Sequence, residues 1–234
     1  YVVDTRQSLH FKQLFDLSTA LDKPFKGTLK HIPFGMLKFG TQVMKTRSGN
    51  IIYLNDVLDE AKKKALEIIR EKNPNLEGAE ETAEMIGMGS ILFNDLSQHR
   101  ERDISFDWKQ ALSFDGDTAP FIQYTHARCC SLMKKCAPRL AELAAKKDSE
   151  SCLEHEAVRF LLGEISYFDT YAEKALEHKD PSQIAASLLN ISKAFNQLYH
   201  KVRFLDESSH SRLTELVTMT DLTRSALKHG LKLL

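Results

Sequence analysis

The sequence predicts an α/β segment followed by an all-α bundle, and three observations support this prediction. Residues 1–60 alternate between short apolar runs and one amphipathic stretch, which is typical of a strand–helix–strand unit. From Asn55 onward the apolar pattern is almost entirely helical. Between Asp22 and Asp56 there is no carboxylate although the whole chain is formally neutral, so one surface of the α/β segment is expected to be basic.

A parallel βαβ unit is predicted at the start of the chain. The letters YVVD, residues 1–4, are a short buried-strand pattern, and residues 29–35 form a second strand that runs into a turn. Between the strands, apolar side chains recur at helical spacing: Leu9, Leu14, Phe15, Leu17 and Leu21. Because parallel sheets bind ligands at the carboxyl ends of their strands, we expect a site near residues 4–7 and 31–36.

The basic run continues into a loop that has the composition of a phosphate clamp. It combines cations, hydroxyls and a glycine: Lys45, Thr46, Arg47, Ser48 and Gly49. Cationic side chains neutralise phosphate charge, and backbone N–H groups bind phosphate oxygens. A solvated basic turn explains the same letters, and neither G-x-x-x-x-G-K-[ST] nor G-x-G-x-x-G occurs. Both interpretations stay open on these residues alone.

Two helices are predicted next. A brief extended piece at residues 51–54 precedes a helix that Asn55 or Asp56 can cap. That helix breaks at residues 73–74, an Asn-Pro pair. A second helix covers residues 79–98.

The second half is predicted to be a helical bundle. Residues 100–117 form a link with mixed signals, in which Trp108 is expected to anchor the link against a neighbouring domain. Asp117 or Thr118 then caps a long helix that has Pro120 in its first turn. Further helices are expected over residues 153–178, 181–200 and 209–234.

Composition and charge exclude several classes of protein. No apolar run approaches the roughly 20 residues that span a bilayer, so no membrane-embedded segment is expected. The balance of 32 basic and 32 acidic residues argues against a free-standing, strongly basic nucleic-acid binder. The cysteines contain no C-x-x-C pair, which predicts reduced, packed thiols and no structural zinc: Cys129, Cys130, Cys136 and Cys152.

Several long motifs in series resemble the C-terminal part of a class I arginyl-tRNA synthetase. The stretch VVDTRQSLHFKQLF is similar to the family's D-x-R-Q-x-x-H-F pattern at Asp4, Arg6, Gln7, His10 and Phe11. Within HIPFGMLKFGTQVMKTRSGNIIYLNDVLDEA, residues 44–49 resemble the F-K-T-R-S-G form of the family's KMSKS loop. DISFDWKQALSFDGDTAPFIQYTHARCCS and LLNISKAFNQLYHKVRFLD continue the likeness, which covers nearly the whole chain.

The chain departs from the family pattern at its loop and at both ends. The two lysines of the consensus loop fall at Val43 and Thr46. The HIGH signature is absent, as is the GI and ERM ending expected after GLKLL. We therefore expect a piece of a longer protein, and we expect that the 234 residues alone do not form an aminoacyl adenylate.

The resemblance implies a fold and a division of the chain. Residues 1–60 would be the second part of a Rossmann-like parallel-sheet catalytic domain that carries the KMSKS-type loop. Residues 61–116 would be a helical linker or stem-contact region. Residues 117–234 would be a helical-bundle anticodon-binding domain.

The resemblance also implies roles for residues of the catalytic part. Gln7 would bind the arginine substrate, while Lys45 and Arg47 would stabilise the triphosphate during catalysis. The implied ATP-binding residues are His31, Phe34, Gly35, Met36, Thr46, Ser48 and Gly49.

In the helical part, the implied tRNA-binding residues are Tyr124, Arg128, Asn196, Tyr199 and His200. Tyr and His rings can stack on unpaired bases, and Asn or Arg can read base edges. Packing explains much of the same pattern, since Tyr124 falls at core spacing and Arg128 could form an internal ion pair. Both interpretations stay open for these residues, whereas packing is preferred for Phe195.

The implied function is that of a cytoplasmic arginine–tRNA ligase. Such an enzyme uses L-arginine and ATP with Mg²⁺ as substrates, and passes the arginyl group to an arginine-accepting tRNA. No prosthetic group, resident metal, DNA or membrane is expected. Two alternatives remain: a non-catalytic helical tRNA-binding or interaction module derived from a synthetase, and a phosphate-binding βαβ enzyme of unrelated type.

Overall fold

The computed structural model describes residues 1–39, 53–146 and 148–234. Within these ranges the chain forms four short strands and nine helices. The strands are β1 Val2–Asp4, β2 Ile32–Phe34, β3 Leu37–Phe39 and β4 Ile104–Phe106. The helices are α1 Ser8–Ala20, α2 Leu54–Lys72, α3 Ala79–Leu96, α4 Trp108–Ala111, α5 Ala119–Leu143, α6 Glu156–Ser166, α7 Phe168–His178, α8 Ser182–Lys201 and α9 His210–Leu233. Two 3-10 turns add Thr5–Gln7 and Phe204–Asp206.

The predicted parallel βαβ unit is confirmed. Strands β1 and β2 pair in parallel, with Val2 opposite Ile32 and Asp4 opposite Phe34. A second parallel pair joins β3 to β4 and places Leu37 opposite Ile104. The second pair was not predicted, because three-residue strands are too short to show a period in the sequence.

The expected burial of this unit was wrong. Val2 in the first strand is 71% exposed, and Leu9 and Leu17 of α1 are 67% and 55% exposed. Phe11 is the large apolar side chain of α1 that is buried, and it packs against the ring of Tyr1 at 5.2 Å between centroids. A sheet of two strands has too little surface to bury the remaining apolar side chains of the strand and the helix.

Helices α2 and α3 form an antiparallel hairpin that meets through small side chains. Ala61 and Ala65 of α2 are buried against Ala83 and Gly87 of α3. A Cβ built on Gly87 would lie 2.8 Å from the backbone carbonyl carbon of Ala61, so the two backbones approach too closely for any side chain.

The predicted start of α2 was wrong by one turn, whereas its end is confirmed. The helix begins at Leu54, so the expected extended piece at residues 51–54 does not include that residue, and residues 51–52 lie outside the described ranges. Tyr53 precedes the helix and makes no side-chain cap, so Asn55 and Asp56 lie inside the first turn. The helix ends at Lys72, just before the Asn-Pro pair.

The link between the hairpin and the bundle is more ordered than predicted, since it contains β4 and α4. Asp107 caps α4 by accepting a hydrogen bond from the Gln110 amide at 2.7 Å. Trp108 packs against two small apolar clusters formed by α2, α3 and the link, and its ring meets Phe106 edge-on at 4.9 Å. Trp108 therefore anchors the link on the hairpin.

Helices α5–α9 form the predicted bundle around one apolar core. Phe195, Ile122, Leu198 and Leu213 are fully buried in it. Thr118 caps α5 by accepting a hydrogen bond from the Phe121 amide at 3.2 Å, and Pro120 lies in the first turn as predicted. Within the described ranges, no helix is long and apolar enough to span a membrane.

One predicted helix is two helices in the structure. Residues 153–178 contain α6 and α7, which meet at Tyr167. The Tyr167 amide still donates to the Gly163 carbonyl at 3.2 Å, while its own carbonyl already accepts from the Tyr171 amide at 3.1 Å. The break has near-helical backbone angles and no proline, so the sequence carries no signal for it.

Candidate functional site

The carboxyl ends of β1 and β2 meet as the βαβ pattern predicts. The Thr5 hydroxyl at the end of β1 donates to the Phe34 carbonyl at the end of β2, at 2.9 Å. Asp4 forms an ion pair with Arg6 at 2.8 Å, and the Arg6 hydrogen bonds lower the pKa of the Asp4 carboxyl. Gln7 follows directly and is exposed at the start of α1. A polar, solvent-facing edge therefore precedes the first helix.

His31 is fixed within this unit. Its Nε2 donates a hydrogen bond to the Val3 carbonyl at 3.0 Å, and its ring stacks on Phe11 with 4.9 Å between centroids. One ring nitrogen is therefore already used inside the βαβ unit. The geometry suits a residue that positions the strand end more than one that touches a ligand directly.

The turn after β2 is held by the link, the segment that follows α3 in the chain. The Gly35 amide donates to the Arg100 carbonyl at 2.7 Å, and the Met36 amide donates to Asp103 Oδ1 at 2.9 Å. A Cβ built on Gly35 would lie 2.1 Å from the Arg102 carbonyl oxygen. Only glycine permits this close approach of two backbones.

Asp103 and Arg100 were not predicted as site residues. Asp103 forms an ion pair with Lys38 at 2.7 Å, and the Lys38 hydrogen bond is the main cause that lowers the pKa of Asp103. Arg100 donates from Nη1 to the Pro33 carbonyl at 3.1 Å. Both side chains come from the segment that the sequence presented as a link of mixed signals, about 65 residues away from their partners. Such long-range pairing leaves no mark in a local pattern.

The loop predicted to clamp phosphate lies outside the described residues. This applies to Lys45, Thr46, Arg47, Ser48 and Gly49, which fall between the described ranges 1–39 and 53–146.

In the bundle, the structure brings four of the five predicted RNA-binding residues into one cluster. The Arg128 guanidinium lies between two tyrosine rings, with Cζ 4.8 Å from the Tyr124 centroid and 4.9 Å from the Tyr199 centroid. It also donates to Asn196 Oδ1. Asn196 is itself fixed, because its Nδ2 donates to Thr125 Oγ1 at 2.9 Å. We call Tyr124, Arg128, Asn196 and Tyr199 the arginine cluster.

The arginine cluster answers two questions that the sequence left open. Among the described residues Arg128 finds no carboxylate for the internal ion pair that was one interpretation; it contacts two rings and an amide. Tyr124 is half exposed and Tyr199 about a third exposed, so neither ring is core. Phe195 is fully buried, as packing predicted. His200 lies beside the cluster, edge-on to Tyr199 at 5.9 Å.

A cationic groove opens beside the arginine cluster. Its volume is about 370 Å³, and Arg128 and Lys135 supply its positive charge. Its lining is completed by Tyr124, Ala127, Ser131, Leu132 and Tyr199. Positive charge beside two partly exposed aromatic rings is the combination that binds single-stranded nucleic acid.

A second cavity lies behind Tyr124 and was not predicted. It has a volume of about 480 Å³ between the α2–α3 hairpin and α5, and Tyr124 and Ala127 line both cavities. Its walls are mostly apolar and include Ile69, Met85 and Phe114. The tyrosine ring is therefore a partition between a cationic groove and an apolar cavity.

Three of the four cysteines are packed in the interior, as the sequence predicted. Within the described ranges all four cysteines are free, and Cys129, Cys136 and Cys152 are buried. Burial raises the pKa of both Cys129 and Cys152 to about 12, so these thiols stay protonated. No group of three potential ligands capable of holding a metal occurs among the residues that the structure describes.

Two family models match this arrangement in succession. Residues 1–108 match the catalytic domain of the class I tRNA synthetases (R), and residues 122–234 match the DALR anticodon binding domain. The chain is thus similar to part of a class I synthetase catalytic domain followed by a helical DALR domain, and the predicted fold class is confirmed.

The similar proteins are arginine–tRNA ligases. The chain is 35% identical over 234 residues to the arginine–tRNA ligase of Clostridium botulinum strain Langeland, covering 100% of the chain and 41% of that relative. It is 36% identical over 235 residues to the enzyme of Clostridioides difficile strain 630, of which it covers 40%. The chain therefore spans about two fifths of the length of these relatives.

Solved structures agree in fold. The arginyl-tRNA synthetase of Thermus thermophilus superposes with a TM-score of 0.82 at 26% identity, over 99% of this chain and 39% of that one. A putative arginyl-tRNA synthetase of Campylobacter jejuni superposes with a TM-score of 0.69 over 99% of this chain and 45% of that one. Its identity of 17% supports a shared fold alone.

Proposed function

We propose that the chain is the C-terminal part of an arginine–tRNA ligase, working in the cytoplasm where tRNA is charged. The observation that carries the proposal is the similarity of the whole chain to arginine–tRNA ligases, at 35% identity without a long gap. The substrates would be L-arginine, ATP with Mg²⁺ and an arginine-accepting tRNA. In this proposal residues 1–60 belong to the catalytic domain, residues 61–116 form the linker or stem-contact region, and residues 117–234 form the anticodon-binding domain.

The strand-end unit would serve the first chemical step. There the carboxylate of arginine attacks the α-phosphate of ATP, and pyrophosphate leaves. Gln7 is exposed at the strand end, where it can hydrogen-bond the arginine substrate. The backbone of Phe34, Gly35 and Met36 would face the adenine, while His31 fixes the strand end through Val3.

The basic loop would serve the same step as a KMSKS-type loop. Lys45 and Arg47 would neutralise the charge that develops on the phosphates, and Thr46, Ser48 and Gly49 would supply hydroxyl and backbone donors. This part of the proposal rests on the sequence alone, since the loop lies outside the described residues.

The arginine cluster would bind the anticodon loop of the tRNA. Tyr124 and Tyr199 have exposed ring surface for stacking, and Arg128 carries a positive charge held between them. His200 extends the aromatic surface beyond Tyr199. Asn196 would orient the guanidinium, because both ends of its amide group are already bonded.

Two measurements test the proposal. Direct binding of an arginine-accepting tRNA to the chain is expected, and the affinity should fall as salt rises because phosphate contacts release counterions. A tRNA for another amino acid should bind more weakly at the same salt. Equal affinity for both tRNAs would favour the non-catalytic RNA-binding module instead.

The second measurement is ATP–pyrophosphate exchange. We expect none from the 234-residue chain, because most of the arginine pocket and the HIGH signature are not among its residues. The longer protein that contains this chain is expected to arginylate tRNA. Exchange by the chain alone would contradict the proposed division of the catalytic machinery.

A further inference from the structure

Arg100 makes polar contacts in two parts of the molecule at once. From Nη1 it donates to the Pro33 carbonyl in β2 at 3.1 Å, and from Nε it donates to the Lys179 carbonyl after α7 at 3.2 Å. These partners lie 67 and 79 residues away along the chain. The Arg100 side chain is only 21% exposed, so this geometry is protected from solvent more than a surface ion pair would be.

On the strand side, the segment around Arg100 controls the backbone of the turn. The Arg100 carbonyl accepts from the Gly35 amide at 2.7 Å, and Asp103 accepts from the Met36 amide at 2.9 Å. The amide of Ile104 closes the contact by donating to the Met36 carbonyl at 2.8 Å. The turn is therefore held by hydrogen bonds from the link, which Gly35 allows to approach closely.

On the bundle side, Arg100 meets the corner between α7 and α8. Lys179 has a positive φ of 55°, which ends α7. The next residue, Asp180, is 4% exposed and accepts from the Ser182 amide at 3.2 Å at the start of α8. His99 Nε2 lies 3.9 Å from the other oxygen of this carboxylate.

Helix α8 joins this corner to the arginine cluster. It runs from Ser182 to Lys201 without a proline, which corresponds to a length of about 30 Å. Asn196 and Tyr199 lie near its far end, and Leu188 and Leu198 bury it in the bundle core. The α7–α8 corner and the arginine cluster therefore lie toward opposite ends of one buried helix.

We propose that Arg100 is a positioning residue that ties the Pro33–Gly35–Met36 turn to the α7–α8 corner, so that turn and corner open together. The proposal rests on the proposed function only in calling the turn part of an ATP site. Arg100 itself would touch neither substrate.

Arginine suits this position because of its planar fork. The guanidinium offers several N–H donors in fixed directions, so it can bond two carbonyls on opposite sides. A lysine at the same place keeps the charge but cannot reach both carbonyls in that geometry. A role of charge alone, for example through the Glu101 contact at 2.6 Å, would accept either residue.

The test is amide hydrogen exchange, which measures how often a hydrogen-bonded backbone opens. R100Q removes the charged hydrogen bond from Arg100 Nη1 to the Pro33 carbonyl. Because this bond holds the turn, we expect the Gly35 and Met36 amides to exchange about tenfold faster in the variant. The Asp180 amide, which donates to the Ala175 carbonyl at 2.9 Å, should accelerate in the same variant. R100K should behave like R100Q.

The matched control is R102Q, two residues away. Arg102 has the same charge, is exposed, and forms no side-chain ion pair with any residue that the structure describes. We expect it to leave all three amides unchanged. Unchanged turn amides in R100Q, or full rescue by R100K, would overturn the proposal.

A double-variant cycle tests the coupling itself. D180A disturbs the corner, and D180N serves as a milder change if D180A unfolds the bundle. In the parent chain either change should accelerate exchange at Gly35, whereas in the R100Q background it should add little. Equal acceleration in both backgrounds would mean that the corner acts on the turn without Arg100, and the proposal would fail.

These exchange measurements need no ligand, so they are independent of the proposed function. ATP binding is measured separately on the longer protein. If ATP does not bind there, the assignment of the turn to an ATP site fails while the exchange results still decide the coupling. If ATP binds and R100Q raises its KM with kcat little changed, the turn is also confirmed as the point where Arg100 acts.

Discussion

At the residue scale, the most informative group is the Arg128 guanidinium between Tyr124 and Tyr199. Stacking between two rings holds the cation in one place, and no residue in the described parts of the chain gives it an acidic partner. Its positive charge therefore remains available to an anion, whereas an ion pair would have neutralised it. The residue types were predictable from the sequence. The stacking of Arg128 between the two rings was not, because Tyr124 and Tyr199 are 75 positions apart in the chain.

The first prediction concerns this cation. R128A should weaken the binding of an arginine-accepting tRNA by about tenfold or more, because it removes a charge and releases both rings. R128K should recover only part of the loss, since an ammonium does not stack as a guanidinium does. Filter binding at fixed salt measures both. The control variant R159A removes the same charge from an exposed position on α6 and should bind as the parent chain does. Equal losses in R128A and R159A would show a purely electrostatic effect.

The second prediction concerns pH. The Asp148 carboxylate accepts from the Ser211 amide at 3.0 Å, the Ser209 hydroxyl at 2.9 Å and the His210 amide at 2.9 Å, all at the start of α9. The side-chain hydrogen bond of Ser211 is the main cause that holds the pKa of Asp148 well below its usual range, and the Ser211 amide, the Ser209 hydroxyl and the His210 amide lower it further. Its stabilising effect is therefore complete above the unfolded pKa near 3.9 and is lost as the pH falls through the folded value.

D148N should accordingly lower the Tm by several degrees at pH 7 and by progressively less as the pH falls below about 4. Thermal melts at a series of pH values measure the difference between variant and parent. E154Q removes a carboxylate that is exposed on the chain between α5 and α6, and it should leave the curve unchanged. A D148N difference that does not depend on pH would contradict the role of the ionised form.

At the element scale, long helices were predictable and short elements were not. Helices α3, α5, α8 and α9 match their predicted positions because each repeats its apolar face over many turns. Strands β3 and β4 and helix α4 are three or four residues long and exist because of partners far away in the chain. Tertiary contacts decide such elements, and a window of local sequence does not contain them.

The third prediction concerns the close crossing of α2 and α3 at Gly87. G87A should destabilise the protein by roughly 1–3 kcal/mol, because the new methyl group meets the Ala61 backbone, which cannot move aside as a side chain can. Chemical denaturation measures the change. The control is G163A on α6, where nothing lies within 4 Å of the added Cβ. The free energy of unfolding of G163A should rise by up to about 1 kcal/mol because alanine has the higher helix propensity. A rise in G87A as well would contradict the close approach of α2 and α3 at Gly87.

At the scale of the whole molecule, the residues that the structure describes form one large apolar core and two small ones. The large core belongs to the bundle, while the small clusters hold the α2–α3 hairpin and the link. The βαβ unit adds few buried side chains of its own. The order of these parts could be predicted from sequence motifs, but the contacts between them could not, because each depends on a few long-range polar bonds such as those of Arg100.

The fourth prediction follows from this separation. L198A removes a fully buried side chain from the bundle core and should lower its free energy of unfolding by about 2–5 kcal/mol. Amide exchange in α6, α8 and α9 should accelerate accordingly, whereas exchange at the β1–β2 pair should change much less. L176A, which truncates a side chain that is 70% exposed on α7, is the control and should have little effect. Uniform acceleration over all described residues would show a single cooperative unit.

Trp108 is the one tryptophan in the sequence, and it packs on the α2–α3 hairpin rather than in the bundle. Its indole emission therefore reports on the hairpin and the link. Excitation at wavelengths that only tryptophan absorbs would follow the middle of the chain without any added dye. The six tyrosines offer no such selectivity, because they are spread from Tyr1 to Tyr199.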